Sequence, residues 1–167
     1  MSACAGHAAS LTAATPSQPQ FAEAGEAAVS GGFREVDHTA DVAVYAWGES
    51  LNDLFRAACD GLISLTAGAP SVQPGTNIPV SAAGRDATDT LIRLLNEIIY
   101  TCDSQQTVPC NIIDMQADAT SARCKIQALP CRDVPDIPIR EIKAATYHGA
   151  HIQTIGDKLT VTVIFDT

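Results

Sequence analysis

Apolar residues recur along the chain with two different periods, and the points where the period changes divide it into elements. Over 42–47, Val42, Val44 and Ala46 alternate with Ala43, Tyr45 and Trp47. Branched and aromatic residues on both phases predict a strand covered on both faces. Phe33-Arg34-Glu35-Val36 leads into it through an acidic segment, and Gly48 ends it. Leu51, Leu54, Phe55, Ala58, Leu62 and Leu65 then return at helical spacing. Ser50 is a good N-cap, and Asp53, three positions on, can meet free backbone amides, so a helix is predicted from there to near Gly68. A loop over 69–75 with two prolines precedes a short strand at 77–83. The second helix begins at Asp86 or Thr88 and carries Leu91, Leu94, Leu95, Ile98, Ile99 and Cys102 on one face. Asn96 and Glu97 interrupt that face, and a buried polar anchor satisfied by neighbouring backbone, rather than a catalytic pair, is their expected use.

Past Pro109 the pattern gives two antiparallel strands joined near 117–120, the second with Cys124, Ile126 and Ala128 inward and Arg123, Lys125 and Gln127 outward. Residues 130–138 hold three prolines and two aspartates and are expected to form a surface loop. Residues 142–155 and 158–165 then predict a closing hairpin about Gly156-Asp157. Strands with two interspersed amphipathic helices indicate an α+β domain, a two-layer sandwich of a largely antiparallel sheet with both helices on one face.

Composition changes the picture at one end. In residues 1–32, Ala, Ser, Gly and Pro dominate and no apolar period appears, so these are expected to be a disordered extension ahead of a domain at 33–167. The extension lacks the basic start and apolar run of a secretory signal and is poor in arginine. No later window is long and apolar enough to span a bilayer, which makes a soluble protein the expectation. The formal charge of -9 repels phosphate backbones, so any link to RNA is expected to pass through another protein. The six cysteines form no Cys-x-x-Cys pair. Cys59, Cys102 and Cys124 fall on apolar faces, the behaviour of reduced core thiols, which points to the cytoplasm.

Candidate chemistry gathers in Asp37-His38-Thr39-Ala40-Asp41-Val42, where two carboxylates and an imidazole lie at a strand edge. An Asx turn would explain the same residues. Asp166, directly ending an apolar strand beside the terminal carboxylate, favours the functional reading, because concentrated negative charge calls for a cation. If the first and last strands are neighbours, Asp41 and Asp166 converge, and such hard oxygen donors suit Ca²⁺ or Mg²⁺ with a backbone carbonyl and waters. His148 and His151, three apart on a predicted strand, point to opposite faces and do not share an ion. Lys143 has two readings, a solvated strand-end charge or a contact to a partner's acidic or phosphate group near the carboxylates. There is no Gly-x-x-x-x-Gly-Lys-Ser/Thr loop, Gly-x-Gly-x-x-Gly turn, Gly-x-Ser-x-Gly elbow or His-Glu-x-x-His helix. No autonomous nucleotide-dependent or hydrolytic enzyme is indicated.

Asp-His-Thr-Ala-Asp-Val followed by Ala-Trp-Gly-Glu-Ser-Leu-Asn-Asp-Leu-Phe, then Leu-Leu-Asn-Glu-Ile-Ile-Tyr, Glu-Ile-Lys-Ala-Ala-Thr-Tyr-His-Gly and a final Val-Ile-Phe-Asp-Thr, in that order from about residue 33, resembles the archease family. The resemblance implies a strand-helix-strand-strand α+β fold and a divalent ion near Asp41 and Asp166, with Thr167 offering a backbone oxygen. His38 and Lys143 are then expected beside that site or against a partner. It implies an activator of an RtcB-type RNA ligase in tRNA splicing or RNA repair, promoting the ligase's guanylylation and turnover, with the nucleotide and the catalysis belonging to the ligase. The alternatives are a chaperone or specificity factor for another RNA-modifying enzyme, such as a tRNA methyltransferase, and a free-standing metal-dependent hydrolase. Ala43 stands where the family commonly has glycine, and Val134-Pro-Asp-Ile-Pro-Ile-Arg140 replaces a loop that often carries an Arg-His pair.

Overall fold

The computed structural model describes residues 30–37, 41–68, 75–134 and 138–167. Strand β1 (Gly31–Asp37) pairs antiparallel with β2 (Val42–Gly48), in register from Gly31↔Gly48 to Asp37↔Val42. The segment leading into the expected first strand is thus itself a strand, beginning two residues ahead of the boundary drawn from composition. The acidic motif spans the connection of this hairpin. Expectations for residues 1–29 lie outside the described residues.

Helix α1 (Leu51–Ala67) starts as its sequence predicts. Ser50 Oγ accepts from Asp53 N at 3.2 Å, and Asp53 Oδ2 accepts from Ser50 N at 3.1 Å, a reciprocal capping box that satisfies two otherwise free amides. Gly61 lets the helix settle on β2, because a Cβ there would lie 2.5 Å from Val44 Cγ1. Helix α2 (Ala87–Ser104) is capped by Asp86, whose Oδ1 accepts from Asp89 N at 2.9 Å.

Between and after the helices run β3 (Thr76–Ala83), β4 (Thr107–Ala117), β5 (Ser121–Pro130), β6 (Ala144–Ala145), β7 (Gln153–Ile155) and β8 (Lys158–Asp166). The α+β class and the antiparallel pairing stand, with the strands divided between two sheets. One has the order β1-β2-β8-β6, with β7 also on β8, and the other the order β3-β5-β4. Helix α1 packs on β1, β2 and β8 of the first sheet and on β4 of the second, while α2 packs on all three strands of the second and on β6 of the first. Both helices therefore lie against both sheets. Leu54, Phe55, Leu62, Leu91, Leu95, Ile98, Ile112, Ile126 and Phe165 fill the core between them.

The expected single strand over 142–155 is instead two short strands on β8, separated by a loop that leaves the sheet. Side chains of α2 draw that loop away: Tyr147 Oη donates to Asp89 Oδ1 at 2.6 Å, and Ile152 N donates to Thr88 Oγ1 at 3.3 Å. Side-chain partners on the helix here replace ladder bonds on the sheet. His148 and His151 sit in this loop, exposed, rather than on opposite faces of a strand. The β7–β8 turn about Gly156 forms as predicted, its φ of 65° lying in the left-handed region open to glycine.

Candidate metal centre

Strand β8 lies between β2 and β6, and this places the acidic residues together. Val42 faces Phe165 across the β2–β8 pair, so one further step sets Asp41, just before β2, opposite Asp166, the last residue of β8. At strand spacing their α-carbons stand about 5 Å apart. On the other side of β8, Ala144 pairs with Asp166, and Lys143 N donates to Asp166 O at 2.8 Å. The Lys143 ammonium reaches past the strand end and donates to Thr167 O at 3.0 Å. Asp41 is half-buried, whereas Lys143, Asp166 and Thr167 are exposed. Phe165 and Val163, fully buried in β8, anchor this corner to the core.

Of the expected site residues, the fold brings Asp41, Asp166, Thr167 and Lys143 to one corner. His38 lies outside the described residues. Among the described residues no three His, Cys, Asp or Glu side chains converge as a metal cluster. An ion here would have two carboxylates and main-chain oxygens, with water completing its shell. That donor set is all hard oxygen, the chemistry of Ca²⁺ or Mg²⁺ rather than of a soft metal, so the residues fit the ion the sequence suggests. Asp41, Asp166 and Thr167 would hold such an ion, and it would supply positive charge to offset the two carboxylates. The strand register brings the Asp41 and Asp166 backbones opposite one another, and Lys143 is tied to the adjacent Thr167 O.

A second polar cluster was not singled out from the sequence. The Asp89 carboxylate is buried at 2% exposure and accepts from the Tyr147 hydroxyl, from Arg85 N and Nε, and from Arg93 Nε at 3.0 Å. These bonds, the Tyr147 hydroxyl foremost, hold its carboxyl well below the usual carboxylate range. The four-residue spacing of Arg85, Asp89 and Arg93 is the one signal that could have found it. A separate cleft of about 470 Å³ opens between the helices, with Leu62, Ile98, Cys102, Val108 and Ile142 along its walls. Burial pushes the Cys102 thiol up to about 11 and Cys124 likewise, and raises the Cys59 thiol too, as core thiols should be.

An α+β fold of two antiparallel sheets about two helices, with an acidic corner where the motif-bearing strands meet, defines the class of protein. The family described as the Archease protein family (MTH1598/TM1083) matches residues 33–167, and the chain belongs to it. It is 32% identical over 127 residues to "Protein archease" of Aeropyrum pernix, covering 74% of this chain and 88% of that one. It is 27% identical over 129 residues to "Protein archease" of Thermococcus gammatolerans, covering 75% and 90%. The solution structure of Methanobacterium thermoautotrophicum protein 1598 shares the fold with a TM-score of 0.64 at 20% identity, over 81% of this chain and 99% of that one. So does the crystal structure of a Thermotoga maritima archease described as a possible chaperone, with a TM-score of 0.57 at 23% identity, over 80% and 96%.

Proposed function

We propose that this protein is a metal-binding accessory protein that activates an RtcB-type RNA ligase, promoting guanylylation and repeated turnover in tRNA splicing or RNA repair. The observation that carries the reading is the meeting of Asp41, Asp166 and the Thr167 oxygen at one corner, on the segments that carry the family's motifs. Among the described residues the corner has carboxylates, a main-chain oxygen and a lysine and no nucleophile paired with a base, which suits a role in presenting an ion to a partner rather than in catalysis. The net charge of -9 supports contact with RNA through the ligase alone. The cytoplasm is the compartment this reading requires. No helix among the described residues is long and apolar enough to cross a membrane.

The description of the Thermotoga maritima relative as a possible chaperone favours a second reading, a chaperone or specificity factor for another RNA-modifying enzyme such as a tRNA methyltransferase. Tagged protein recovered from its own cells separates the two. Co-purification of an RNA ligase, together with faster multiple-turnover ligation when the protein is added, supports the first. Recovery of a methyltransferase with no ligase, and ligation unaffected by the protein, refutes it.

A further inference from the structure

Asn96 lies half-buried in α2 and uses its whole side-chain amide on main chain. Nδ2 donates to Ile92 O at 3.0 Å and to Ala145 O at 2.9 Å, and Oδ1 accepts from Ala145 N at 2.9 Å. Ala145 belongs to β6, a strand of 2 residues that has β8 on one side only. So short a strand has few ladder bonds of its own, and its other edge would present an unpaired N–H and C=O. Asn96 offers that edge the donor and acceptor that a neighbouring strand would offer. Directly before Ala145 stand Ala144, paired with Asp166, and Lys143, bonded through N to Asp166 O and through Nζ to Thr167 O.

We infer that Asn96 is a positioning residue for the acidic corner: by clamping both main-chain groups of Ala145 it fixes β6, and through β6 it sets Lys143 and the main-chain oxygens of Asp166 and Thr167. It touches none of the candidate ligands itself. The other bonds from α2 to this segment, at Tyr147 and Ile152, lie farther along the chain, beyond β6, so Asn96 is the tie next to the corner. The effect on ion affinity rests on the metal reading, and the effect on Lys143 does not.

The test uses the full chain carrying Asn96→Ala. Asn96→Asp serves as a second variant, keeping the acceptor for Ala145 N–H and losing the donor, should alanine prevent folding. Ile112→Val in the second sheet is a destabilised control remote from the corner. NMR follows the Lys143, Asp166 and Thr167 signals and the exchange of the Ala145 amide without metal, and Ca²⁺ titration follows affinity where every variant is folded. In the Asn96 variants those signals are expected to move, Ala145 to lose protection and Ca²⁺ affinity to fall about tenfold, the low end of the loss when a supporting bond around a metal site is removed. The control should change none of these. Unmoved signals with unchanged affinity overturn the positioning role. If wild type binds no divalent ion while the signals still move, the metal reading fails and the positioning of the corner stands.

Discussion

Replacing Asp166 by asparagine removes one charge from the corner and leaves its shape almost unchanged. Asp41 and Asp166 stand one step beyond the Val42↔Phe165 pair, so their α-carbons lie about 5 Å apart, and a separation of that order for the two charges gives the scale of their repulsion. At that distance they repel by about 0.8 kcal/mol in bulk water and about 3 kcal/mol at an effective dielectric of 20. Asp166 is exposed and the Lys143 ammonium is bonded to the adjacent Thr167 O, so the effect belongs near the lower figure, about 1 kcal/mol. Without metal, Asp166→Asn should therefore melt about 2–4 °C above wild type at low ionic strength. With Ca²⁺ at a hundred times its dissociation constant, wild type gains about 2.7 kcal/mol by mass action and the variant gains little. The order of melting temperatures should thus reverse between EDTA and saturating Ca²⁺ in thermal unfolding followed by circular dichroism. A wild-type melting curve that neither Ca²⁺ nor Mg²⁺ moves, or a variant less stable than wild type in EDTA, refutes the reasoning.

Asp89 ties stability to acid. Its folded-state pKa is depressed below the unfolded value of about 3.9, so its contribution is full above that pH and fades as pH falls through the folded pKa. Tyr147→Phe removes the largest cause of the depression, so its urea midpoint should fall below wild type at neutral pH and the gap should narrow below about pH 4; a gap that widens in acid would contradict this. Phe55, fully buried in α1, should cost about 3–5 kcal/mol when replaced by alanine, measured by urea unfolding, and a loss under 1 kcal/mol would show that the core is not packed around it. Iodoacetamide should label exposed Cys131 well before buried Cys102 and Cys124, whose thiols are raised to about 11, as mass spectrometry of digests would record.

Elements with strong local signals were legible in the sequence. The cap at Ser50 and the apolar periods of both helices located them, the second starting behind Asp86, one of the two starts expected, and the alternation of Cys124, Ile126 and Ala128 located β5. Strand β1 was not separable from what precedes β2, because Gly-Gly-Phe-Arg-Glu-Val-Asp has no clean period and its order comes from pairing with β2. The break in 142–155 was hidden for a similar reason: it depends on Asn96 and Asp89 reaching Ala145 and Tyr147 across 49 and 58 residues of chain. No local pattern carries such bonds. The acidic corner was legible as a conditional, since Asp41 and Asp166 meet only if β2 and β8 are neighbours, and the fold makes them so. Lys143 had two readings from its own surroundings, a strand-end charge or a partner contact near the carboxylates, and its bond to Thr167 O exists because β6 pairs with the end of β8.

We propose that this corner serves a ligase. This is tested most directly by the rate at which a purified RtcB-type RNA ligase becomes guanylylated from GTP with divalent metal, alone, with the wild-type protein, and with Asp41→Ala or Asp166→Ala. Wild type should accelerate guanylylation and both variants should leave the ligase near its unassisted rate. A ligase indifferent to the wild-type protein, or stimulated equally by all three, would contradict the account.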